Sequence, residues 1–324
     1  MRRKADEVLS IKATDFSLAH TLDSGQLFRW RPEGEGYFVC IGERAFLLRM
    51  KGDRLEVDGA RPQDEALLRR FFSLDEDLQA VCDELADAGF PRRILQRWRG
   101  LRIVRQDFWE CLVSFTCSSA NNIKRIRGMI HRLCERWGRP ARCSGVEFRT
   151  FPKPGSLGAE RELRAIGLGF RAAYLARINR IATPAWLSEV STLDYSGAKA
   201  RLMQLPGIGH KIADCVCLFS LGHAQAFPVD TWIRKATTRI FFGGRKASDA
   251  AIRKRAQERF GQNAGYAQQY LFHEWRHEGL APWHGHPGSA AAFAVAGDGL
   301  ARARPARRGR RRAQSGAAEV TSGA

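Results

Sequence analysis

The chain has 324 residues, 44% of them hydrophobic, with a formal net charge of +19. That length and apolar content suit a soluble globular protein of two or three folded units. No run approaches the roughly 20 apolar residues of a membrane span, and Met1-Arg2-Arg3-Lys4-Ala5-Asp6-Glu7 lacks the apolar stretch of a signal peptide, so an intracellular location is expected, in cytoplasm or nucleoid, or in the nucleus of a eukaryote.

Residues 285–324 hold seven Arg against Asp298 and Glu319, which leaves +14 on the rest of the chain. A body this basic suits a polyanion, because each Lys or Arg placed at a phosphate releases counterions and adds sequence-independent affinity. Nucleic acid leads as partner; an anionic membrane surface is the plainer alternative. The eight cysteines are scattered, with C-x5-C (Cys111, Cys117) and C-x-C (Cys215, Cys217) as the closest pairs, so reduced thiols are expected and no structural metal.

In chain order, Tyr37-Phe38-Val39-Cys40-Ile41, Ala45-Phe46-Leu47-Leu48 and Arg54-Leu55-Glu56-Val57 alternate with turn residues and predict an antiparallel meander. After Arg61-Pro62, Leu67, Leu68, Phe71 and Phe72 recur at helical spacing, and the pattern stays helical to about Phe272 with short breaks. The fold class is therefore α+β. A small antiparallel β-rich unit is expected over 1–90 and a mainly helical one over 91–285. An unstructured Ala/Gly/Arg-rich tail is expected over 286–324. No internal repeat is apparent.

The most informative stretch is Leu205-Pro206-Gly207-Ile208-Gly209-His210-Lys211-Ile212-Ala213-Asp214-Cys215-Val216-Cys217-Leu218-Phe219. Pro206, Gly207 and Gly209 permit a tight turn whose amides point outward beside the positive end of a helix dipole, which suits a phosphate. With Tyr195–Met203 as the preceding helix, residues 205–209 make the hairpin of a helix-hairpin-helix clamp for the DNA backbone, and Ile212, Cys215, Val216 and Phe219 form a buried stripe. Lys211 falls in the first turn, where the dipole disfavours an extra positive charge, and a neutral amine is a nucleophile. Further on, Phe227-Pro228-Val229-Asp230-Thr231-Trp232 places Asp230 as a helix cap whose carboxylate can also serve chemistry.

L-P-G-I-G-H-K-I-A-D-C-V-C followed by P-V-D resembles the helix-hairpin-helix (HhH-GPD) DNA glycosylase superfamily, and within it the 8-oxoguanine DNA glycosylase/abasic-site lyases, over roughly residues 10–275. The resemblance extends in order through Leu22-Asp23-Ser24-Gly25-Gln26-Leu27-Phe28-Arg29-Trp30, Arg105-Gln106-Asp107, Cys117-Ser118-Ser119-Ala120-Asn121-Asn122-Ile123 and Gly167-Leu168-Gly169-Phe170-Arg171-Ala172. It implies a monomeric base-excision repair enzyme on double-stranded DNA containing an oxidised purine. Lys211 would attack C1′ of the lesion nucleotide and Asp230 would stabilise the charge that develops on the sugar. The target nucleotide must be flipped out of the duplex, with Phe170 resembling the aromatic wedge.

The resemblance also makes the Gly25 carbonyl the acceptor for the N7 hydrogen that oxidised guanine carries and guanine lacks, so that guanine would leave a buried acceptor unpaired at a cost of about 1–3 kcal/mol. It implies Cys215 and Phe272 as the two faces sandwiching the base, Gln268 as reader of its Watson–Crick edge, Asn121, Asn122, Arg125 and Arg171 as opposite-strand contacts, and Gly207 and Gly209 as backbone binders. A monovalent or divalent cation could sit between hairpin and DNA phosphate. Two positions depart from the family pattern: Ala120 replaces the first asparagine of a triple-Asn run, and Trp232 replaces a phosphate-contacting histidine. No cysteine follows Cys217, so the iron–sulfur loop of other branches is not expected. The alternatives are a monofunctional glycosylase for alkylated bases and a non-catalytic DNA-binding protein. A zinc hydrolase is a third, from His273-Glu274-Trp275-Arg276-His277, with His284 or His286 as third ligand.

Overall fold

The computed structural model describes residues 8–278, so His284, His286 and the basic segment 286–324 lie outside the described residues. The first unit contains β1 (Leu9–Lys12), α1 (Leu18–Asp23), β2 (Trp30–Glu33), β3 (Gly36–Ile41), β4 (Arg44–Lys51) and β5 (Arg54–Asp58). Its strands form one antiparallel sheet in the order β1-β5-β4-β3-β2. The predicted meander is β3 to β5, turned between Lys51 and Arg54 at Gly52, whose φ of 60° is readily adopted without a Cβ. Period-two alternation sends Val39, Phe46, Leu48, Leu55 and Val57 to one face, where α2 (Asp64–Phe71) covers them with Leu68 and Phe71.

The helical part continues with α3 (Leu78–Asp87), α4 (Arg92–Arg97), α5 (Phe108–Thr116), α6 (Ile123–Trp137), α7 (Glu160–Ala165), α8 (Arg171–Ile181) and α9 (Pro184–Ser191). It closes with α10 (Tyr195–Met203), α11 (His210–Phe219), α12 (Thr231–Phe242), α13 (Asp249–Phe260) and α14 (Ala264–Glu278). Asp107, Asn122 and Asp230 cap α5, α6 and α12 by accepting the amide three residues on. The expected buried stripe of α11 understates its position: every residue from Ile212 to Phe219 is buried, and both α5 and α10 pack on the helix.

One expectation needs correction: the region between residues 62 and 272 is not helical apart from short breaks. A second antiparallel pair, β6 (Pro140–Cys143) and β7 (Val146–Arg149), interrupts it. Ser144 and Gly145, at φ of 47° and 81°, make the two-residue turn, and strands of four residues are too short to carry a clear alternation. Arg29 ties the two parts together. Its guanidinium donates to buried Glu110 on α5 at 3.0 Å and to the Arg149 carbonyl at 2.7 Å. No disulfide joins any of the eight cysteines, all of which lie among the described residues.

Candidate active site

The hairpin between α10 and α11 is shaped by its glycines. Gly207 has φ of 78°, and a Cβ there would run into the Tyr174 ring, so conformation and space both demand glycine. Gly209 is extended and caps α11 with no side chain, and an added Cβ would meet nothing within 4 Å. The start of α11 is thereby open to a ligand that accepts hydrogen bonds.

Lys211, the second residue of α11, is half-buried. Its Nζ donates to Ser118 Oγ at 2.8 Å and lies 5.4 Å from the centroid of the Phe115 ring. The Ser118 hydroxyl in turn donates to the Phe115 carbonyl at 2.6 Å, so it presents a lone pair to the amine. No carboxylate among the described residues lies within ion-pair distance of Nζ. A neutral hydroxyl is what aims this amine.

Asp230 ends the extended segment after α11. Its Oδ1 accepts the Ile233 amide at 2.8 Å, which fixes the carboxylate at the positive end of α12. Cys215, one turn after Lys211, connects the two groups electrostatically: burial pushes its thiol up to about 12, with Lys211 pulling it down and Asp214 and Asp230 adding to the rise. The thiol is therefore uncharged at neutral pH and offers an apolar surface within electrostatic reach of Lys211 and Asp230. Trp232 is not packed away; it is 47% exposed beside Asp230, with the Lys235 ammonium 5.6 Å from its ring centroid.

The residues expected to form a base pocket come from opposite ends of the chain. Gly25, at φ of 76°, sits so close to α14 that an added Cβ would lie 2.9 Å from Phe272 Cε1 and 3.4 Å from Ile123 Cδ1. Gln268 lies one turn before Phe272 on the same helix and is 5% exposed, with Oε1 lacking a hydrogen-bond partner. A buried, unsatisfied acceptor is an opening for a ligand donor.

The expected opposite-strand residues divide into two kinds. Phe170 protrudes, 49% exposed, between Gly169 and α8. Asn122 and Arg125 are exposed at the start of α6. Arg171 is instead buried and directed at protein carbonyls, those of Ser119 and, at 3.2 Å, Ala120. Asn121 also turns inward, its amide donating to the Cys117 carbonyl at 3.0 Å. Ala120 itself holds φ of 45°, a left-handed conformation that asparagine tolerates better than alanine.

Several groups around the site were not legible in the sequence. Ser118 appeared only as part of a matching run, with nothing to mark it as the partner of Lys211. Asp214, fully buried on α11, pairs with Lys199 at 2.6 Å and accepts the Tyr195 hydroxyl at 2.7 Å, with Arg253 3.9 Å away. Burial pushes its carboxyl up and the Lys199 ammonium opposes the rise. This network braces α10 and α13 against α11 and so holds the hairpin. Glu274 of the H-E-x-x-H run is likewise occupied. It is buried, accepts Trp98 Nε1 at 2.7 Å and pairs with Arg97 at 3.4 Å, so it is not placed to activate a water. Among the described residues no group of three His, Cys, Asp or Glu side chains is arranged to hold a metal ion.

Residues 8–112 match the family described as 8-oxoguanine DNA glycosylase, N-terminal domain, and residues 113–262 match the HhH-GPD superfamily base excision DNA repair proteins. The chain is 32% identical over 287 residues to the N-glycosylase/DNA lyase OGG1 of Arabidopsis thaliana, covering 82% of this chain and 78% of that protein. Among solved structures it is similar to MBOgg1 in complex with a low affinity DNA ligand, with a TM-score of 0.81 and 31% identity over 85% of this chain and 97% of that one. It is similar also to the Clostridium acetobutylicum 8-oxoguanine glycosylase/lyase bound to double-stranded DNA containing cytosine opposite 8-oxoguanine, with a TM-score of 0.77 and 29% identity over 84% and 98% of the respective chains.

Proposed function

The chain belongs to the HhH-GPD superfamily of base excision DNA repair proteins, in its 8-oxoguanine glycosylase branch, and from that membership we propose how its own residues carry out excision and strand cleavage. It is a bifunctional N-glycosylase and abasic-site lyase that removes 8-oxoguanine from double-stranded DNA. The observation that carries the residue assignment is a hydroxyl-aimed Lys211 and a backbone-fixed Asp230, both within electrostatic reach of Cys215 and with no ion pair joining them.

Excision starts when the neutral Lys211 amine attacks C1′ of the flipped nucleotide. The bond from C1′ to the base nitrogen breaks and its electron pair leaves with the base, which takes up a proton. Asp230, whose charge is already held by the Ile233 amide, stabilises the oxocarbenium-like sugar without having to reorganise. Loss of an amine proton and opening of the sugar give an imine between Nζ and C1′. Removal of a C2′ proton then expels the 3′ phosphate, and water releases the lysine.

The pocket reading follows the same physics. The Gly25 carbonyl accepts the N7 hydrogen, the neutral Cys215 thiol and the Phe272 ring cover the two faces of the base, and Gln268 meets its Watson–Crick edge. Phe170 fills the gap left in the stack. The hairpin at Gly207 and Gly209 grips a phosphate. The Leu205 carbonyl is taken by the Ile208 amide at 3.2 Å, whereas those of Gly207 and Ile208 are free of amide partners among the described residues and would hold a monovalent or divalent cation against that phosphate. No step of the chemistry runs through such an ion.

A cleavage panel varying lesion and opposing base tests this assignment. Because Arg171 and Asn121 are engaged by the protein and Asn122 Oδ1 caps α6, only the Asn122 amide nitrogen and the Arg125 side chain remain to sense the estranged base, and the expected result is excision of 8-oxoguanine opposite all four bases with rates within about tenfold of each other, a spread of about one hydrogen bond. Turnover of 3-methyladenine but not 8-oxoguanine would transfer the protein to the alkylation branch.

A further inference from the structure

Three consecutive carbonyls run from the last residue of α1 into the loop after it, and α14 treats them differently. The Asp23 carbonyl accepts from the Arg276 guanidinium, whose Nη2 also meets the Asp23 carboxylate at 2.7 Å, and His277 Nε2 lies 3.2 Å from the second carboxylate oxygen. The Ser24 carbonyl accepts Gln269 Nε2 at 2.8 Å, with both residues buried. No donor among the described residues reaches the third carbonyl, that of Gly25. Residues 269, 272 and 276 recur at helical spacing, so one face of α14 presents two donors to the loop and, between them, the Phe272 ring against which Gly25 is seated.

The other side of the loop is equally fixed. The buried Gln26 side chain donates to the Arg102 carbonyl at 2.8 Å and accepts the Val104 amide at 2.8 Å, while its own carbonyl accepts Gln106 Nε2 at 2.7 Å. Gly25 is the one residue between these anchors with freedom to change φ sign, since it lacks a Cβ. Pinning the two preceding carbonyls removes that freedom and leaves the Gly25 carbonyl pointing in one direction.

We propose that Gln269 and Arg276 are positioning residues that aim the Gly25 carbonyl and thereby set how well the enzyme captures a purine bearing an N7 hydrogen. The proposal rests on the assignment of Gly25 as the lesion-reading acceptor. It separates two steps: base excision needs the aimed carbonyl, whereas cleavage of a preformed abasic site needs Lys211 and Asp230 but has no base to read.

The test compares single-turnover excision from an 8-oxoguanine duplex with strand cleavage of a duplex containing a preformed abasic site. Arg276→Ala and Gln269→Leu are each expected to slow excision about tenfold, the loss of about one well-aimed hydrogen bond. Abasic-site cleavage should stay within about threefold of wild type, as for a substitution away from the reacting atoms. Arg276→Lys should recover most of the excision rate, because it restores a donor to the Asp23 carbonyl. Parallel loss of both activities would assign the contacts to fold stability and overturn the proposal, as would excision unchanged in both variants. A wild type that cleaves abasic sites and ignores 8-oxoguanine would overturn the underlying reading of Gly25, and with it the positioning role of Gln269 and Arg276.

Discussion

Gly25 shows how a single position can carry two independent constraints. Its φ of 76° disfavours any L side chain by about 1–2 kcal/mol, and the Phe272 ring stands 2.9 Å from where a Cβ would be. Gly25→Ala is therefore expected to fold but to displace the loop or the ring. Its excision of 8-oxoguanine should fall at least about tenfold, while circular dichroism matches wild type. Unchanged excision would show that the pocket does not need this close approach. Only the family resemblance singles out Gly25 in the sequence, because its neighbour Phe272 lies near the other end of the described chain. Lys211 was legible from its place in the hairpin motif, but Ser118 was not, since a hydroxyl in a polar run carries no mark of what it faces.

At the scale of elements, local patterns gave reliable boundaries where caps and periodicity agree. The helix expected before the hairpin is α10, and Asp230 caps α12 as its position after Pro228 suggested. The H-E-x-x-H run is the opposite case, since spacing alone did not reveal that α14 buries most of it. His273 is 1% exposed, with neither ring nitrogen hydrogen-bonded, packed 4.3 Å from Trp98 and 4.5 Å from His277 between ring centroids. Burial pushes it down to about 3, with His277 and His20 adding to the effect. The unfolded chain binds a proton near the ordinary value of about 6.5 that the folded chain refuses. This contribution to stability is thus complete above that pH and declines as pH falls toward 3, by up to about 1.4 kcal/mol per unit. Urea unfolding at pH 7.5 and 4.5 should show a smaller acid loss for His273→Leu than for wild type. Equal losses would mean that another group controls the acid limb.

For the molecule as a whole, the α+β division and the basic body were legible because composition and periodicity report them directly. Pairings such as Ile11 with Leu55, or Arg29 with Glu110, were not, because they depend on which distant segments meet. The same holds for the proposed site: the hairpin and the extended segment each had a local signature, while the nearness of Lys211 and Asp230 to Cys215, and of Gly25 to Phe272, is a property of the fold. The central claim of the proposed mechanism is covalent chemistry by one named amine, Lys211. The direct measurement is reduction with sodium borohydride during reaction with an 8-oxoguanine duplex. The predicted result is a stable protein–DNA adduct with wild type and none with Lys211→Gln. Strand cleavage by wild type without any adduct, or equal trapping by Lys211→Gln, would contradict the account.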